Sequence, residues 1–153
     1  MPLLARKTST HDFLAAALLA AELGEPYDTG RLPPEQLREL FASVHELRVS
    51  VPYAALRLLA RLASDGRVDV RTQAARALGR FVDAYPERVE ELLMVLACDS
   101  SRKVRAAAAE TLAALIPVAD DPWQLIEDWD AHPDRARDVM LTARRSLPPP
   151  LGV

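Results

Sequence analysis

Apolar residues along this chain recur every third or fourth position, the spacing of one face of an α-helix, and the recurrence breaks at short glycine, proline and aspartate clusters. Eight helices follow. The first is expected over 10–23, opened by Ser9 or Thr10 and stopped at Gly24. After a loop with Pro26 and Gly30, Pro33 and Pro34 start a second helix over 33–48, with Leu37, Leu40, Phe41, Val44 and Leu47 on one stripe. The remaining helices are expected over 52–64, 69–83, 87–98, 101–116, 121–130 and 134–147. Pro148, Pro149 and Pro150 prevent any continuation.

One stretch of this pattern is written twice, thirty-four residues apart. Leu58 and Leu59 return as Leu92 and Leu93, Leu62 as Leu96, Asp65 as Asp99, Val70 and Arg71 as Val104 and Arg105, Ala74 and Ala75 as Ala108 and Ala109, and Leu78 as Leu112. A fixed period of this size implies stacked supersecondary units that bury their apolar faces against one another. The expected fold is therefore all-α: a short right-handed α-solenoid of about four antiparallel helix pairs, over 10–48, 52–83, 87–116 and 121–147. These pairs form one domain, 1–147, followed by a proline-rich tail, 148–153. The first and last pairs diverge from the repeat, as the sealed ends of a solenoid must.

Composition sharpens this picture. At 153 residues a chain can bury a substantial core without disulfides or metal. The net charge of −3 argues against a generic polyanion binder. Residues 1–64 carry seven basic and seven acidic side chains, 65–105 eight and seven, and 106–153 four and eight. Any basic surface is local. A single cysteine, Cys98, offers no disulfide framework and reads as a small buried core thiol in a reducing, cytoplasmic setting. Arg6 and Lys7 before the apolar run 13–21 loosely imitate a secretory signal, but His11 and Asp12 interrupt the approach. The run is also shorter than the ~20 residues of a membrane span. Neither signal nor span is expected.

The twice-written string Asp-x4-Val-Arg, at Asp65, Val70, Arg71 and at Asp99, Val104, Arg105, followed by Ala-Ala and Leu, resembles the HEAT repeat. In that family the second helix of each pair opens with Val-Arg and continues with Ala and Leu in the core. On a helical wheel Arg71 falls inside the apolar arc of Val70, Ala74, Leu78 and Phe81, and a guanidinium there must be paired. The resemblance supplies a partner, because HEAT repeats carry a ladder of Asp and Arg between successive units. Asp65, Asp99, Arg71 and Arg105 are accordingly expected to be structural. Arg105 should reach back to Asp65, and Arg71 back to the first pair. The same aspartates can accept backbone N–H bonds where the following helix begins.

The opposite arc of the second helices points outward. It carries Asp69, Thr72, Gln73, Arg76, Arg80 and Asp83 on one helix, and Lys103, Ala106, Ala107, Glu110 and Ala114 on the next. A helix apolar almost all round is usually covered. The expected site is a shallow groove with an alanine floor, edged by Arg76, Arg80 and Lys103 against Glu110, on which a protein partner or a second copy would lie. The resemblance implies a non-enzymatic interaction or scaffold module.

A second class of function stays open. Arg67, Arg76, Arg80, Arg102 and Lys103 could line a rim that touches phosphates. HEAT-like repeats also build alkylpurine DNA glycosylases, which use a carboxylate and tryptophans in a basic groove, and this chain has Trp123, Asp128 and Trp129. The acidic residues Asp120, Asp121, Glu127 and Asp130 around them repel a duplex. Those carboxylates read as helix caps rather than a cation site. His11, His45 and His132 show no metal-ligand spacing, and five glycines form no phosphate loop. No cofactor, small-molecule substrate or membrane is expected.

Overall fold

A computed structural model describes residues 17–19, 32–131, 137–145 and 147. The rest of the expected first helix, the loop before Leu32 and the expected tail at 148–153 lie outside the described residues, as do His11 and His132. Among the described residues every regular element is a helix. The chain divides into two compact units, Met1–Arg61 and Leu62–Val153, and the boundary falls inside the expected second pair.

In the first unit, α1 (Pro34–Ser50) buries Leu37, Leu40 and Val44, while Phe41 and Leu47 on the same stripe are half-buried. Val51 ends it at φ −141° while still donating its N–H to the Leu47 carbonyl at 2.8 Å. Pro52 has no N–H to continue the ladder, so the chain bends there and restarts as α2 (Pro52–Leu62). Leu56, Leu58 and Leu59 on α2 are buried.

The second unit holds α3 (Val68–Leu78), α4 (Pro86–Leu96), α5 (Arg102–Leu115), α6 (Pro122–Asp130) and α7 (Arg137–Arg144). Two expected helices stop short and tighten into single 3-10 turns, Gly79–Phe81 after α3 and Ile116–Val118 after α5. Glycine is a poor helix interior residue, and Pro117 supplies no amide donor for another α-turn.

Helix α5 is the centre of this unit, packed against α3, α4 and α7, with α7 resting on α6 as well. That position explains its composition. Ala107, Ala108 and Ala109 are all buried, because neighbours lie on both flanks of the helix. Alanine lets the helix backbones approach closely enough for the Thr111 hydroxyl to donate to the Ala75 carbonyl at 2.7 Å. Thr111 replaces the alanine that the period would place there, since its counterpart is Ala77. The polar group is satisfied by a main-chain oxygen of α3.

Candidate functional site

The repeated aspartates act first on their own turns. Asp65 Oδ1 accepts the Arg67 N–H at 2.9 Å, and Asp99 Oδ1 accepts the Ser101 N–H at 2.8 Å. Both donors belong to the residue that precedes a helix, α3 in one case and α5 in the other. The repeated arginines close the same turns from the helix side. Arg71 Nη1 donates to the Asp65 carbonyl and Arg105 Nη1 to the Asp99 carbonyl, each at 2.9 Å.

Between the two copies runs an ion pair. Arg71 donates from Nε to Asp99 Oδ2 at 2.8 Å and from Nη2 to Asp99 Oδ1 at 3.2 Å, with only 15% and 11% of the two side chains exposed. This corrects the expected direction. Arg71 reaches forward into the next repeat, not back to the first pair, because the Asp99 carboxylate sits at the α4–α5 turn while α3 packs on α5. Burial pushes the Asp99 carboxyl up. The Arg71 hydrogen bond, the Ser101 N–H and the charges of Arg71 and Arg105 outweigh it and hold the group below its ordinary value. The bond to Asp99 raises the Arg71 guanidinium against the opposing effect of burial.

The outward face of α3 and α5 presents Arg76, Arg80, Lys103, Ala106, Glu110 and Ala114, all exposed. Ala107 does not belong to it. It is only 1% exposed, on the part of α5 that neighbouring helices cover. Arg76 Nε and Glu110 Oε2 stand 3.9 Å apart, 58% and 67% exposed. These two residues occupy equivalent positions of the two copies, so the repeat's disagreement places opposite charges side by side. Asp69, opposite Lys103 in the repeat, is taken by Arg67 at 3.0 Å. Burial would raise its carboxyl, but the Arg67 bond lowers it below the ordinary value. Thr72 is buried and donates to the Val68 carbonyl, so it leaves the outward set.

Two further expectations are corrected. Cys98 is exposed, not a core thiol. Leu96 and Ala97 fill the inward positions at the end of α4, and the next residue turns outward, as Ser64 does after Leu62 and Ala63. The signal was in the repeat itself, which puts a polar serine at the matching place. Trp129 is fully buried and donates Nε1–H to Glu90 Oε1 at 3.1 Å, so it cannot stack on a base. Asp128 accepts from Gln124 Nε2 at 2.8 Å, and Trp123 is 44% exposed. The trio does not form a base-binding pocket.

Among the described residues no group of three or more His, Cys, Asp and Glu could hold a metal ion, and no helix is long and apolar enough to cross a membrane. Paired helices repeating at a fixed interval, stapled by an Asp–Arg bridge between equivalent turns, define an α-helical repeat protein. The chain belongs to the HEAT repeats family, whose model matches residues 42–142. No curated protein and no solved structure matches it.

Proposed function

We propose that this chain is a non-enzymatic protein-interaction module of HEAT-repeat type that seats its partner on the outward face of α3 and α5. HEAT repeats generally serve protein association. The observation that carries the choice of face is the exposed Arg76–Glu110 pair beside the exposed small side chains Ala106 and Ala114. Small residues let a partner backbone come close, and paired opposite charges at the rim fix its register rather than its affinity. The charges that recur between the two copies, such as Arg71 and Asp99, are consumed within the fold. Nucleic-acid binding through the arginine rim loses support because Arg76 lies beside Glu110 and Trp129 is buried.

The test is affinity capture from cell extract with the parent protein, with Arg76→Glu/Arg80→Glu, and with Ala106→Glu/Ala114→Glu. Loss of the same proteins from both variants, with folding intact by circular dichroism, is expected. Identical captured sets from all three would remove the proposed face. Capture that disappears on nuclease treatment would transfer the reading to nucleic acid.

A further inference from the structure

A second surface of the same unit lies at its other end, where α4 and α6 begin and α5 finishes. There a cleft of about 260 Å³ has an apolar floor of Leu115, Val118 and Leu125. Around that floor stand Glu87, Glu90, Asp120, Asp121 and Asp128, and among the described residues the lining contains no lysine, arginine or histidine. The two helix N-termini contribute only about half a positive charge each, so five carboxylates leave the cleft strongly negative. The nearest basic side chain along α4, Arg88, is held by Glu91 at 2.6 Å.

Three of the five carboxylates already have work in the fold. Glu90 accepts from Trp129, Asp121 caps α6 by accepting the Gln124 N–H at 3.0 Å, and Asp128 accepts from Gln124. Glu87 and Asp120 are exposed and make no hydrogen bond or ion pair with the described residues. The acidic groups are too dispersed to gather a metal ion. The cleft is also smaller than the ~300 Å³ at which small-molecule sites begin. Its dimensions suit one long side chain.

Building on the reading of this chain as a protein-binding module, we propose that the cleft receives an arginine-bearing segment of a protein partner. The arginine's methylene stem lies on Leu115, Val118 and Leu125, and its guanidinium is taken by Glu87 and Asp120. Arginine combines an apolar stem with a planar donor fork, and that combination matches an apolar floor with carboxylates at its edge. A second docking point at this end would give the module two contacts on one partner, multiplying affinity without enlarging either surface.

The probe is a capped pentapeptide in which two arginines alternate with three leucines, titrated into the ¹⁵N-labelled full chain by NMR. Its counterpart has both arginines replaced by citrulline, which keeps the shape and removes the charge. Saturable shifts confined to residues around Glu87, Val118, Asp120 and Leu125 are expected, with the citrulline peptide and the Glu87→Gln/Asp120→Asn variant about tenfold weaker. The charge-matched Glu35→Gln/Glu46→Gln variant should bind like the parent. Equal binding of the citrulline peptide, equal loss in both double variants, shifts centred elsewhere or no binding would each overturn the proposal. Arg76→Glu/Arg80→Glu should leave this titration unchanged, so failure of the α3–α5 face and failure of the cleft are read separately.

Discussion

Arg71 and Asp99, twenty-eight residues apart, are joined by two nearly buried hydrogen bonds of 2.8 and 3.2 Å that tie the second helix of one repeat to the turn of the next. A double-mutant cycle of Arg71→Ala and Asp99→Ala should give a coupling of about 1–3 kcal/mol by denaturant unfolding. Each single variant should cost more than the coupling, because Arg71 also holds the Asp65 carbonyl and Asp99 also holds the Ser101 N–H. The same cycle on Arg67 and Asp69, whose side chains are 32% and 48% exposed, should stay below about 0.5 kcal/mol.

Acid stability follows from the same pair. A carboxyl held below its ordinary value adds stability that is complete above about pH 4 and is lost as the pH falls through the folded-state value. Asp99 and Asp69 both act in this sense. Unfolding midpoints between pH 6 and pH 2 should therefore fall less steeply for Asp99→Asn than for the parent, from a lower starting point. The raised Arg71 has no influence in this window, since arginine stays charged below about pH 12.

The two tryptophans should report separate environments. Trp123→Phe leaves Trp129 alone, and its emission should be blue-shifted and poorly quenched by acrylamide. Trp129→Ala should cost about 3–5 kcal/mol for the lost volume. Glu90→Gln keeps an acceptor for Nε1–H and should cost far less.

Gly79 offers a gain. It has φ −57°, and a Cβ there would meet Thr111 Cγ2 at 3.8 Å, an ordinary contact. Gly79→Ala should stabilise the chain by about 0.5–1 kcal/mol, read as a higher denaturant midpoint at unchanged slope.

Cys98 should react with an aromatic disulfide reagent in the native protein almost as fast as in denaturant, because it is exposed.

The helices and their pairing were legible because a repeat prints its core twice. Val70, Ala74, Ala75 and Leu78 and their counterparts Val104, Ala108, Ala109 and Leu112 are all buried. The direction of the Arg71 bridge was not legible, since a period says which positions are equivalent but not which neighbour a long side chain chooses. The alanines of α5 had two readings, an open floor or a covered helix. Ala107 went to the second because α5 is packed against α3, α4 and α7, and α7 is too divergent in sequence to announce its place in that packing. The cleft was missed for a different reason. Its carboxylates come from α4, from the turn after α5 and from α6, and only the fold brings them together. Read linearly, Asp120 and Asp121 looked like caps, which Asp121 is.

Asp99 occupies two places in the energetics of a linear array. Its hydrogen bond to Ser101 belongs to the internal stability of one repeat, and its bridge to Arg71 belongs to the junction with the preceding one. In nearest-neighbour descriptions of repeat proteins these are separate parameters that mutations usually perturb singly. Here one carboxylate enters both, so loosening the turn also uncouples the neighbours. The second unit is thereby disposed to melt as a whole rather than to fray from one end.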